Sequence, residues 1–305
     1  MKKALKIGFV DFYCNWGPWP DPIAYFTDVL SLEYDVEVVV SDFIGHRFDT
    51  GKKPDLVICT IPGGGHLKYD CPRVLWPVEP RHPNYDGYSA CMTWNFDDDP
   101  RHYRLPACVL YGDMNQLTQP KPAFESLWNR EFCAVLLGKP YPHSQTPRDE
   151  FFHRLCEYKK VHSAGRHLNN MDINIPGAIT IPGYDAQSGP HKINFLRNYK
   201  FVLAFENEQW PGYTSEKLTD AMFADSVPIY WGNSLVGRDF NTKSFVNCNE
   251  YENLDKVIER IIELDTNEDA YRSVIEQPYC VDNVVPEFAR KEKLLKFFKK
   301  VLNES

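Results

Sequence analysis

The stretch KFVLAFENEQWPGYTSEKLTDAMFADSVPIYWGN, residues 200–233, carries the reading of the fold. After its lysine, the run to Phe205 is continuously apolar, which predicts a short strand buried on both faces. A loop crowded with hydrogen-bonding groups follows, turning at Trp210-Pro211-Gly212. Thr214 or Ser215 is placed to cap a helix whose apolar positions Leu218, Ala221 and Met222 keep the i, i+3, i+4 spacing. SVPIYWG then predicts the next strand. Strand, helix, strand is the repeating unit of a parallel α/β sheet.

The pattern extends in both directions. Upstream, LKIGFVDFY, DVEVVVSD, PDLVICTIPG, PRVLWPVEP and YSACMTWNF are compact apolar runs closed by turn residues, and DPIAYFTDVLSLEY opens a helix with an Asp cap and Pro at the first position. Residues 100–130 carry little periodicity. EFCAVLLG starts a second series, with helices at PRDEFFHRLCEYKK, HKINFLRNY, ENLDKVIERIIELDT and DAYRSVIEQ. The expectation is an α/β chain of two Rossmann-like domains facing a cleft, residues 1–130 and 131–285. A basic amphipathic helix at 286–305 is expected to pack back on the first domain, weak contact with a membrane surface being its alternative role.

Composition narrows the class. The chain has 305 residues, 43% hydrophobic and 25% charged, with a net charge of −8. That balance fits a globular protein and speaks against nucleic acid as a partner. Nine widely spaced cysteines with no C-x-x-C pair are expected to be reduced thiols of a cytoplasmic protein. The amino terminus runs directly into a strand without an apolar leader, and no stretch approaches the ~18 apolar residues of a membrane span. Asp97 to Asp99 read as a solvated acidic turn, IPGGGH at 61–66 as a flexible loop, and nothing resembles a Cys/His zinc site.

Lys217 is the residue that asks for chemistry. It falls in the first turn of its helix, where a cation opposes the helix dipole. A bound anion between the lysine and the backbone amides would account for it; so would a solvated surface lysine.

FENEQWPGYTSEKLTDAMFADSVPIYWGN followed by DFNTKSFVN resembles the α-1,3-fucosyltransferase family (glycosyltransferase family ten), whose hallmark has the form F-E-N-x-x-x-x-G-Y-x-[ST]-E-K, then PIYWG and DFN-x-x-SF. YKKVHSAGRHLNN, residues 158–170, is similar to the stretch ahead of that hallmark. The resemblance implies a GT-B fold, GDP-fucose as donor, and inversion at the anomeric carbon. It implies that Asn207, Tyr213, Glu216 and Lys217, with Thr214 and Ser215 at the same helix entrance, form the donor pocket, and that Arg148 contacts the diphosphate. Protein cations and helix amides would then neutralise the departing GDP, with no metal required. Glu79 matches a glutamate thought to be the general base, although Val78 and Pro80 replace the family's flanking Gly and Asn. His82 is its rival. Arg104, in RHYRLP, is expected to support the acceptor side or an ion pair, and Glu206 to be structural. The implied acceptor is an N-acetyllactosamine-type glycan attacked through the GlcNAc 3-hydroxyl. Two alternatives stay open: the same fold with another nucleotide sugar, and a glycan-binding protein without turnover.

Overall fold

The computed structural model describes residues 2–12, 21–43, 47–61, 63–138, 140, 146–171 and 190–303. The chain forms two compact units: one takes the chain up to Leu110 together with Glu287–Ser305, the other takes Tyr111–Pro286.

The first unit is built on β1 (Lys3–Phe9), α1 (Pro22–Ser31), β2 (Tyr34–Ser41), β3 (Phe48–Asp49), β4 (Leu56–Cys59), β5 (Arg73–Leu75), β6 (Ala90–Thr93) and β7 (His102–Arg104). Its seven-stranded sheet runs β3-β2-β1-β4-β5-β6-β7. All neighbours are parallel except the β2/β3 pair. The order reverses between β1 and β4, and such a switch point opens a crevice at the carboxyl ends of the strands. The Asp21 side chain accepts from the Ile23 amide and Pro22 occupies the first turn, so α1 begins where the cap chemistry places it.

The second unit contains α2 (Phe124–Trp128), β8 (Glu131–Val135), α3 (Arg148–Tyr158), β9 (Val161–Ser163), α4 (Pro190–Leu196), β10 (Tyr199–Phe205), α5 (Glu216–Phe223), β11 (Val227–Trp231), β12 (Val246–Asn247), α6 (Leu254–Thr266) and α7 (Glu268–Ile275). Its sheet, β12-β11-β10-β8-β9, is parallel throughout. All seven residues of β10 are buried. Phe201 packs against Phe132 and Tyr271, and Phe205 against Phe151 and Trp231, with ring centroids 4.9–6.2 Å apart. Each fully buried phenylalanine contributes on the order of 2–3 kcal/mol.

Residues 111–130, expected in the first domain, belong to the second. The half-buried Lys121 ammonium donates to the Ile275 and Gln277 carbonyls at 2.5 and 2.6 Å, and the Phe124 and Trp128 rings lie 6.2 and 5.6 Å from Tyr271. The segment lacks periodicity because single anchoring side chains hold it. The last helix, α8 (Lys291–Val301), buries Leu294, Phe297 and Phe298 within the first unit. Phe298 meets Phe26 edge-on at 6.0 Å, and Lys299 pairs with Glu33 at 2.8 Å. The apolar face of this helix is therefore covered. The eight described cysteines are free thiols, six of them buried; Cys14 lies outside the described residues. Among the described residues no helix is long and apolar enough to cross a membrane.

Candidate active site

At the carboxyl end of β10 the chain places Glu206, which is fully buried. Its carboxylate accepts from the Ser215 amide at 2.7 Å, from the Ser215 hydroxyl at 2.6 Å and from the Lys217 ammonium at 3.5 Å. Ser215, in extended conformation, is the N-cap of α5 and accepts from the Lys217 amide at 3.4 Å. Burial pushes the Glu206 carboxyl up, and Lys217 and the Ser215 hydroxyl oppose that shift. Glu206 is thus the structural centre of the helix entrance, as expected.

The same contacts show what the neighbouring donors serve. The Ser215 and Lys217 amides are engaged by protein groups, so these two donors are not held out to a ligand. The Thr214 hydroxyl is fully buried and accepts from the Asn233 side-chain amide at 3.0 Å, while the Ser215 hydroxyl is turned onto Glu206. Both hydroxyls position the loop. Their short side chains lie beside buried partners that β10 and the end of β11 supply, which sequence spacing does not show.

Asn233 is the positioning residue that sequence reasoning missed. Its carbonyl oxygen accepts from the Gly212 amide at 2.6 Å and the Leu235 amide at 2.8 Å, and its amide group reaches Thr214. Its own backbone N–H donates to the Tyr230 hydroxyl at 3.0 Å, which in turn lies 3.3 Å from the Tyr213 carbonyl. Gly232 must be glycine: a Cβ there would lie 2.4 Å from Cγ of Glu206, and φ is +153°. The final asparagine of PIYWGN was the available signal. Gly212, at φ +91°, supplies the turn that Trp-Pro-Gly announced.

Lys217 is half-buried between two carboxylates, Glu206 at 3.5 Å and Glu216 at 3.9 Å. The cation that opposes the helix dipole has protein anions to answer, so its placement does not by itself demand a ligand. Lys192 of α4 continues the row with an ion pair to the buried Asp220 at 2.5 Å. Burial acts to raise Glu216, but Lys217 and then Lys192 outweigh it and hold the carboxyl below its usual value. Burial, reinforced by Glu216 and opposed by Lys192, lifts Asp220 to about 6. Three carboxylates and two lysines leave the row without excess positive charge.

Positive charge has a separate source in Arg148. It opens α3, the helix that follows β8, which is the strand beside β10. Its side chain is 3% exposed, with Nε 3.4 Å from Asp149. Asp149 also lies 2.5 Å from Nε2 of His167, and Phe151, one turn on, packs at 4.9 Å against Phe205 at the end of β10. Arg148 thus opens the helix that follows β8, while Asn207 and Lys217 lie in the segment that leaves the adjacent strand β10. The Asn207 side-chain oxygen and the Thr146 hydroxyl are buried with no hydrogen-bond partner among the described residues. Unsatisfied buried polar atoms suit a polar ligand. Tyr213 is buried.

In the first unit, Glu79 and His82 are exposed beyond the end of β5. The Trp76 indole N–H donates to the Leu105 carbonyl at 3.0 Å, fixing that strand end. Arg104 donates to the Trp94 carbonyl at 3.0 Å, with its guanidinium over Phe96 and Phe288 at 4.1 and 5.0 Å. It clamps the sheet edge. Asp99 folds onto Arg101 at 2.8 Å, so the acidic run is a turn closed by its own cation.

Two parallel-sheet α/β units in one chain, the second with polar groups gathered at its strand ends, define the GT-B class of glycosyltransferase folds. The chain superposes over 100% of its length on a crystal structure of an α1,3-fucosyltransferase (TM-score 0.76, 24% identity, 91% of that chain). It also superposes on an α1,3-fucosyltransferase with GDP-fucose (TM-score 0.72, 25% identity, 100% of this chain and 92% of the other). Residues 136–277 match the model of the glycosyltransferase family 10 (fucosyltransferase) C-terminal domain. A relative in Helicobacter pylori, an α-(1,3)-fucosyltransferase, is 35% identical over 75% of this chain and 52% of its own. The chain spans from a quarter to about half the length of the curated relatives it matches first.

Proposed function

We propose that the protein is an inverting α-1,3-fucosyltransferase that moves L-fucose from GDP-β-L-fucose to the 3-hydroxyl of GlcNAc in N-acetyllactosamine-type glycans. One observation supports the reading: the stretch 136–277 that matches a family 10 domain holds Arg148 at the start of the helix after β8, and Asn207 and Lys217 in the segment that leaves β10. Ligands of open α/β sheets bind at the carboxyl ends of the strands.

In the proposed reaction the acceptor oxygen attacks C1 of fucose as the bond from C1 to the β-phosphate oxygen breaks. The acceptor proton passes to the Glu79 carboxylate, and the bonding electron pair leaves with GDP. Arg148 is the principal counter-charge, because its planar fork suits two phosphate oxygens. Lys217 adds a point charge, Asn207 an unsatisfied acceptor for donor hydroxyls, and Tyr213 and Glu216 frame the pocket. Each 1.36 kcal/mol gained at the leaving group gives about tenfold in rate. This scheme asks for no metal.

Labelled GDP-fucose supplied with type 2 and type 1 acceptors, with and without EDTA, tests the reading. Transfer to the GlcNAc 3-hydroxyl is expected, and Glu79→Gln is expected to lower it by about 10²–10⁴-fold while GDP affinity stays unchanged. Undiminished transfer by Glu79→Gln would remove the base assignment. Preference for UDP over GDP in calorimetric titration would remove the donor assignment.

A further inference from the structure

A second cluster of chemistry-bearing side chains lies in the first unit. Asp11 follows β1, Cys59 ends β4, and His66 stands in the single turn Gly65–Lys68; one ligand atom from each lies within 4.8 Å of the others. Cys59 is fully buried and His66 nearly so, and the Asp11 side chain is 13% exposed. We propose that Asp11, Cys59 and His66 form a binding site for a divalent first-row metal ion, zinc foremost.

The donor set points to that ion class. Thiolate, imidazole and carboxylate together suit a borderline-soft cation and poorly suit magnesium or calcium. Donor atoms around a tetrahedral zinc are about 3–4 Å apart, so the observed spread closes with small side-chain rotations. Asp11 and Nδ1 of His66 already share a proton at 2.7 Å, and a metal would take its place. Binding requires the thiolate, so the Cys59 thiol proton is released to solvent. Three protein ligands leave a fourth position for water.

The surrounding structure holds these groups in place. The Asp11 carboxylate accepts from the Gly65 and His66 amides at 3.1 and 3.0 Å. Asp11 has φ +54°, an uncommon conformation for a residue with a side chain, which turns its carbonyl toward the Thr60 and Ile61 amides. A Cβ on Gly63 or Gly65 would lie 2.3 or 2.7 Å from the Asp11 carboxylate oxygen, so both glycines keep room for it. His66 is stacked on Tyr88, with ring centroids 4.5 Å apart. The segment expected as a flexible loop is instead fastened by Asp11 (Pro62 lies outside the described residues), and a metal would tie β1, β4 and the turn at the sheet's switch point.

The full chain, stripped with a chelator, would be titrated with zinc chloride and cobalt chloride. About one equivalent of zinc should bind and raise the melting temperature, and cobalt should give a thiolate-to-metal charge-transfer band. Cys59→Ser should abolish the band and His66→Gln the stoichiometric binding, whereas Cys156→Ser, outside the cluster, should keep both. The inference is overturned by wild-type protein that takes up no zinc, by cobalt bound without the thiolate band, or by undiminished binding in the cluster variants. The wild-type titration decides even if a variant does not fold.

Discussion

Replacing Ser215 with alanine probes the helix entrance most directly, because its hydroxyl serves Glu206 and α5 at once. The bond from that hydroxyl to Glu206, 2.6 Å long and buried, is charge-assisted, and losing it costs about 1.5–3 kcal/mol. The cap contact to the Lys217 amide is 3.4 Å, near the outer limit, so its loss adds only about 0.5 kcal/mol. A total of about 2–3.5 kcal/mol corresponds to a fall of roughly 5–12 °C in the melting temperature of the second unit. Removing the hydroxyl also lets burial push Glu206 further up. The lost bond belongs to the ionised carboxylate, so the deficit should grow as pH rises through the carboxyl's folded-state value. Thermal unfolding of Ser215→Ala, Glu206→Gln and the double variant over a pH series measures the coupling, expected at about 1–2 kcal/mol. Additivity within about 0.5 kcal/mol, or a deficit that does not vary with pH, would refute the claim that Glu206 and Ser215 act as one unit.

Other perturbations follow from the same geometry. Arg148→Lys keeps the charge and loses the fork, so calorimetric GDP affinity should fall about 10–100-fold; equal affinity would take Arg148 out of the diphosphate site. Gly232→Ala drives a methyl group to 2.4 Å from Cγ of Glu206 and should cost about 2–4 kcal/mol in chemical denaturation, where an unchanged midpoint would contradict the packing. Asp220→Asn should flatten the pH dependence of stability. The folded carboxyl titrates near 6 against an ordinary 3.8, so its stabilising contribution is complete at lower pH and is lost as pH rises through that window. Parallel melting curves for variant and wild type from pH 4 to 6 would count against this.

Much of the second unit was legible along the chain because its signals are local. The apolar run after Lys200 became β10, Trp-Pro-Gly became a turn at a positive-φ glycine, and Ser215 became the cap expected for α5. A strand buried on both faces must be apolar at every position, and a helix start must satisfy its own amides, so both leave their mark within a few residues. Single-residue anchors leave none. Residues 111–130 fall in the other unit because a half-buried lysine and two aromatic rings hold them, and neither has a period.

By itself the sequence determined the α/β class, the strand–loop–helix that ends β10, and the residue types gathered there. Tertiary structure alone decided what those residues face. It turned Thr214 and Ser215 inward onto Asn233 and Glu206, gave Lys217 two carboxylate partners, and laid the strand that precedes the Arg148 helix beside β10. It also gathered Asp11, Cys59 and His66 from three separate elements. Hydrogen bonds and ion pairs depend on distances of a few ångströms, and the parallel crossovers set those distances between residues far apart in the chain.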